Sequence, residues 1–183
     1  MSTLDALDSK TIIKNYQNEL SNALSKTFLL QRGNTLKAEY LLRQALLNGN
    51  QIFLLGNGGS ASQCNHAEAE FYYWKERVDN KKIKGAIRSL ATNPNALTAF
   101  ANDHGQSSIF STQLKHICRP GDVIFVLSTS GNSANICKAL YTANSLGLYK
   151  VGLLGRDGGK ALPELDVCIM VEGSEDTNII QDI

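Results

Sequence analysis

Two short segments constrain this chain more than any others, Gly56-Asn57-Gly58-Gly59-Ser60 and Ser128-Thr129-Ser130-Gly131-Asn132-Ser133. Each follows an apolar run, at residues 51–55 and 123–127, and each leads into a helix-like pattern. Each therefore reads as a strand-to-helix turn rich in glycine and hydroxyl side chains. Glycine lets a ligand approach the backbone closely, a helix start offers free N–H groups, and serine hydroxyls add donors. Together these make an anion cradle, with phosphate the expected guest. A helix cap and turn would account for part of the second segment, but its four hydroxyls exceed what a cap needs. Two such turns on one parallel sheet predict a single phosphorylated ligand at the carboxyl ends of the strands.

Around these turns the pattern alternates. A helix is expected over about 60–73, a short strand near 86–90, and helices over about 95–101 and 108–118. The turn Arg119-Pro120-Gly121-Asp122 then feeds the strand at 123–127. Ser133 reads as an N-cap, Ile136, Ala139, Leu140, Ala143 and Leu146 as a buried face, and Gly147 as the C-cap. Strands at 150–154 and 167–171 follow, with the loop Gly155-Arg156-Asp157-Gly158-Gly159 between them. Apolar strands alternating with helices predict an α/β fold, a parallel sheet with helices on both faces.

Ahead of the sheet, Ile12, Tyr16, Leu20, Leu24 and Phe28 recur every fourth residue and predict one long amphipathic helix. A second is expected over about 35–47, ended by Asn48-Gly49-Asn50. This pair either packs against another subunit or caps its own sheet. Residues 1–183 read as one domain, with the helical pair at 1–49 and the α/β core at 50–183. Ser174-Glu175-Asp176-Thr177 looks like a helix start, with Ile179, Ile180 and Ile183 beginning an apolar face. A two-turn helix is marginal without packing, so a truncated chain or a further tail is expected.

Apolar residues make up 43% and charged residues 19%, an ordinary globular balance. A net charge of +1 argues against a general electrostatic grip on nucleic acid or membrane. The basic run at 75–84 reads as a solvated loop or helix end. The polar start at 1–10 does not resemble a signal peptide, and no apolar run nears the ~20 residues of a membrane helix. Cys64, Cys118, Cys137 and Cys168 form no C-x-x-C pair, and Cys137 and Cys168 read as small core residues. A reduced, cytoplasmic protein is expected.

His66 and Glu70, at i and i+4, share one face of the helix that starts at Ser60. Imidazole and carboxylate at this spacing suit one metal ion, or equally a helix-surface ion pair. Glu68 lies on another face and is expected to be exposed; His104, in Asn102-Asp103-His104-Gly105, reads as a surface histidine at a capping turn. Neither glycine-rich turn reads G-x-G-x-x-G or G-x-x-x-x-G-K-[ST], and there is no G-x-S-x-G elbow. The serines at 128–133 have no histidine close in sequence to activate them, so they read as phosphate binders and not as nucleophiles.

The motifs G-N-G-G-S-A, His66 and Glu70, A-N-D-H-G at 101–105, R-P-G-D at 119–122, S-T-S-G-N-S and G-R-D-G-G-K at 155–160 together resemble one family. It is the sugar isomerase (SIS) domain group, and within it the sedoheptulose-7-phosphate isomerases, or phosphoheptose isomerases. The resemblance implies a five-stranded parallel sheet flanked by helices, a flavodoxin-like three-layer sandwich with an amino-terminal helical pair. It implies a homotetramer with active sites at subunit interfaces. The implied activity is conversion of D-sedoheptulose 7-phosphate to D-glycero-D-manno-heptose 7-phosphate, toward ADP-heptose for lipopolysaccharide. By the same resemblance Ser60, Ser128, Thr129, Ser130 and Ser133 hold phosphate, and Asn57, in the Gly58-bearing turn, and Asp103 contact sugar hydroxyls. His66, Glu70 and Gln181 match zinc ligands, Gln181 also lying at the substrate, and Glu70 matches the catalytic base. A fourth ligand in the family, a histidine two turns past the glutamine, would fall beyond Ile183. Trp74 and Ile179 stand where relatives carry arginine, and the stretch 72–84 is longer than usual. A non-catalytic SIS relative that binds the bacterial replication initiator and promotes its assembly is the alternative; the acidic residue at the position of Glu70 favours the enzyme.

Overall fold

The computed structural model describes residues 8–78 and 82–183. The readings of 1–7 as a polar start and of 79–81 within the basic run lie outside the described residues. Five strands form one parallel sheet: β1 (Ile52–Leu55), β2 (Ile87–Ser89), β3 (Val123–Ser128), β4 (Tyr149–Leu154) and β5 (Val167–Met170). Their spatial order is β2-β1-β3-β4-β5, as expected for a flavodoxin-like sheet. Side chains alternate across a strand, so neighbouring residues of β1 enter opposite layers. Phe53 and Leu55 join Ile124, Val126, Ile136 and Leu140 in one core cluster, and Ile52 and Leu54 join Val123, Cys64 and Leu46 in the other.

The helices are α1 (Ser9–Leu30), α2 (Arg32–Asn48), α3 (Gly59–Val78), α4 (Pro94–His104), α5 (Ile109–Ile117), α6 (Ala134–Ser145) and α7 (Thr177–Asp182). The first cluster holds residues of α5 and α6, the second residues of α2 and α3. Asp122, buried in the R-P-G-D turn, accepts from the backbone N–H of Gln51 and of Arg119, both at 2.8 Å. That turn therefore joins the starts of β1 and β3. The carboxylate of Asp166 likewise grips buried Lys150 at the start of β4, through the backbone N–H at 2.7 Å and Nζ at 3.2 Å.

Several expectations change. The helical pair divides its work: α2 packs on the sheet, whereas the apolar stripe of α1 faces outward, with Leu24 52% and Phe28 76% exposed. The buried positions of α1 are Ala23 and Thr27, and its polar edge holds the end of the chain. Thr27 Oγ1 accepts from Glu172 N at 2.8 Å, Gln31 donates to Glu172 at 2.7 Å, Ser174 donates to Glu19 at 2.6 Å, and Tyr16 donates to Asp182. This packing, with the Asp176 cap on Asn178 N and buried Ile179 and Ile180, supports the short α7. Glu68 is half-buried, not free: it accepts from Ser89 N at 2.8 Å and Tyr72 OH at 3.0 Å, pinning α3 to β2. Helix α3 runs on past residue 73 because Phe71 seals against the sheet and Trp74 stacks on it.

The cysteine of the deep core is Cys64, while Cys137 and Cys168 are half-buried, Cys168 packing against the first cluster from the edge strand β5. All four thiols are free. Burial pushes the Cys64 thiol up to about 12, so almost none of it is thiolate at pH 8. Alkylation of the native protein at pH 8 should spare Cys64 until unfolding, as read by peptide mass spectrometry; early labelling of Cys64 would contradict this packing.

Candidate active site

The two glycine- and serine-rich turns end up side by side because β1 and β3 are neighbours, in register from Ile52 opposite Val123 to Leu55 opposite Val126. The connection from β1 leaves toward β2 and that from β3 toward β4, so the turns flank the point where strand order reverses. Ligands of such sheets bind in that crevice. Gly58 adopts φ +52°, a left-handed turn into α3. Ser60 is buried on the first turn of α3.

The second turn is held from within and from behind. Ser128 Oγ accepts from Gly131 N at 3.0 Å and Ser130 Oγ from Asn132 N at 3.3 Å, leaving both hydroxyl hydrogens to donate elsewhere. Gly131, at φ +61°, lies so close to the carbonyl of Gly158 that a methyl group would collide with it. Ala161 N donates to Gly131 O at 2.9 Å and Lys160 N to Asn132 Oδ1 at 3.2 Å. The G-R-D-G-G-K loop is thus a brace for the second turn. Arg156 extends the brace to α7 by donating to Thr177 Oγ1 at 3.0 Å.

One small cleft joins Ser60, Ser128 and Thr129 to Gln63, Ile180 and Gln181. Its free space of about 10 Å³ matches a single water molecule, so a sugar would lie outside it. Gln181 reaches back from α7: its side-chain amide sits where a methyl at Gly59 would lie, and its backbone carbonyl accepts from Gln63 Nε2. Residues 59, 63, 66 and 70 form one stripe of α3. Gln181 therefore stands at the upper end of the stripe that carries His66 and Glu70. Both of those side chains are exposed and have no hydrogen-bond partner among the described residues.

Other expected site residues are placed differently. Ser130 and Ser133 are half-buried, and Ser133 occupies the N-cap position of α6 without a side-chain capping bond, so its hydroxyl is available to a ligand. Asp103, exposed near the end of α4, accepts from Asn102 at 2.8 Å and makes no hydrogen bond to either turn. The Asn57 amide meets that of Asn135, with bonds of 2.9 and 2.7 Å in opposite senses. Asn135, Gln63 and Arg156 were not legible as site residues. An asparagine or glutamine in the first turns of a helix has no distinctive pattern, and the partners lie 78 and 118 residues away for Asn135 and Gln63. Among the described residues no three His, Cys, Asp or Glu side chains converge.

The SIS domain pattern matches residues 15–155. The chain belongs to the SIS domain family. A phosphoheptose isomerase of Geotalea daltonii is 42% identical over 142 residues, covering 78% of this chain and 72% of that protein. One of Helicobacter hepaticus is 38% identical over 176 residues, covering 95% of this chain and 86% of its own length. The solved phosphoheptose isomerase of Neisseria gonorrhoeae superposes with a TM-score of 0.86 at 33% identity, over 96% of this chain and 91% of that one. The five-stranded parallel sheet flanked by helices is the fold of this family.

If the second turn binds phosphate, replacing Ser130 by alanine removes one of its donors. Affinity for inorganic phosphate should fall by ~1.5–3 kcal/mol, the loss of a charge-assisted hydrogen bond. Calorimetric titration tests this, and unchanged affinity would place the anion elsewhere.

Proposed function

We propose that this protein isomerises D-sedoheptulose 7-phosphate to D-glycero-D-manno-heptose 7-phosphate through an enediol. The observation that carries the reading is the meeting of two hydroxyl-rich turns with Gln63 and Gln181 in one cleft at the strand-order reversal, on the helix that also bears His66 and Glu70, in a chain 38–42% identical to phosphoheptose isomerases. The same relatives weigh against the initiator-binding alternative. The serines at 128–133 and Ser60 hold the phosphate, and Asp103 reaches a sugar hydroxyl in the assembled protein. The Glu70 carboxylate takes the proton from C1, and that bond's electron pair becomes the C1–C2 double bond as the C2 oxygen gains a proton. Return of the proton from Glu70 to C2, with loss of the C1 hydroxyl proton, leaves the aldose. The phosphate does not react; it supplies remote binding energy that holds C1 and C2 against Glu70.

The donor set suits zinc: an imidazole and a carboxylate on one helical stripe, both without a partner among the described residues, with the Gln181 amide at the stripe's upper end. Zinc held by His66, Glu70 and Gln181 would polarise the C2 carbonyl and its neighbouring hydroxyl. Glu70→Gln keeps the size of the side chain and removes the base. We expect turnover to vanish while inorganic phosphate still binds. Proton and phosphorus NMR of the full-length protein with sedoheptulose 7-phosphate, with and without zinc, tests both points. An aldose phosphate formed faster with zinc is the expected result; turnover retained by Glu70→Gln removes Glu70 as base.

The assembly proposed is a homotetramer, in the cytoplasm, serving ADP-heptose and lipopolysaccharide synthesis. The outward stripe of α1 supports it: Ile12, Ile13, Leu24, Phe28, Leu29 and Leu30 are all exposed. A groove of about 700 Å³ between α2 and the sheet adds Leu42, Trp74, Phe125 and Ile169 to the uncovered apolar surface. Contiguous surface of this kind marks an association face. No helix of the described residues is long and apolar enough to cross a membrane. Light scattering should give a tetramer mass, and Phe28→Asp should lower it; a monomer for the parent protein would refute the assembly.

A further inference from the structure

We infer that Asn135 is a positioning residue for the isomerisation, acting through Asn57; this rests on the isomerase reading above. The two side-chain amides face each other in a closed pair, with Asn57 Nδ2 donating to Asn135 Oδ1 at 2.9 Å and Asn135 Nδ2 donating to Asn57 Oδ1 at 2.7 Å. Asn135 is buried on the first turn of α6, and its Oδ1 also accepts from Ile136 N at 2.9 Å. Its amide is therefore oriented by its own helix before it meets Asn57. Asn57 stands one residue ahead of left-handed Gly58, at the turn that launches α3. Among the described residues no other side-chain hydrogen bond joins the two turns.

The pair ties the start of α3 to the start of α6, and these two helices carry different parts of the chemistry. The second turn and α6 carry Ser128, Thr129, Ser130 and Ser133, which hold the unreacting phosphate. Helix α3 carries His66 and Glu70, which meet the reacting carbons. Phosphate binding can align C1 with Glu70 only if these two anchors keep a fixed separation. The amide pair sets that separation. The pair uses one N–H and one lone pair of the Asn57 amide, so its second N–H keeps a fixed direction from which to meet a sugar hydroxyl.

The test compares the parent protein with N135A, N57A and the double variant. The readouts are kcat and KM for sedoheptulose 7-phosphate and the affinity for inorganic phosphate. N135A should lower kcat roughly ten- to hundredfold, the effect of a slackened approach geometry, while phosphate affinity changes by less than about twofold. The double variant should be no slower than the slower single variant, because one tie is lost in all three. If N135A fails to fold, N135S, which keeps a small polar side chain but not the paired amide, carries the same comparison. Unchanged kcat overturns the inference. So does a parallel loss of kcat and phosphate affinity, which marks a merely structural residue, and so does additivity in the double variant. A parent protein that binds phosphate but gives no turnover overturns the isomerase reading and this inference with it; an active parent with an equally active N135A overturns this inference alone.

Discussion

The site depends on a constraint of topology: β1 and β3 are hydrogen-bonded neighbours although β2 lies between them in the chain. Parallel crossovers keep one hand, so the connections leaving β1 and β3 toward opposite edges must cover opposite faces. Helix α3 accordingly belongs with the core cluster that holds Ile52 and Leu54, and α6 with the one that holds Phe53 and Leu55. The two helices diverge from adjacent strand ends and leave a crevice lined by their first turns. That divergence aims two helix starts at one volume, an arrangement suited to an anion.

The crevice needs to be rigid as well as open, and much of the surrounding loop structure serves that end. The Gly155–Lys160 segment props the second turn through Gly131 and Asn132. Arg156 carries the same support to α7, where Gln181 begins its reach toward Gly59. Glu68 pins the body of α3 to β2, so the stripe bearing His66 and Glu70 is anchored below as well as at its start. The exposed side chains that would do chemistry stand on elements whose backbones are fixed by buried ones.

What the sequence makes legible is what local composition encodes. Glycine and hydroxyl clusters after apolar runs locate both turns, and the i, i+4 pair places His66 and Glu70 on one face without any knowledge of the sheet. Pairings across the fold are not encoded that way. Asn57 and Asn135 are unremarked asparagines until the strand order makes them neighbours. Glu68 looks like any solvated helix glutamate until Ser89 arrives opposite it. The stripe of α1 announces a helix, but periodicity says that an apolar face exists and not what covers it. The thiols show the same limit: residues in apolar stretches were expected inside, yet Cys64, in a polar stretch of α3, holds the deepest position.

The contact between α1 and residues 172–182 has a consequence for biosynthesis. Tyr16 meets Asp182 across 166 residues, and Thr27 meets Glu172 across 145. A chain emerging from the ribosome can complete β1, β3 and both glycine- and serine-rich turns while residues 172–182 are still being made. Helix α1 must wait, with one edge lacking its partners, until residues 172–182 are free to close on it. The two turns thus form before Gln181 can take its place beside Gly59.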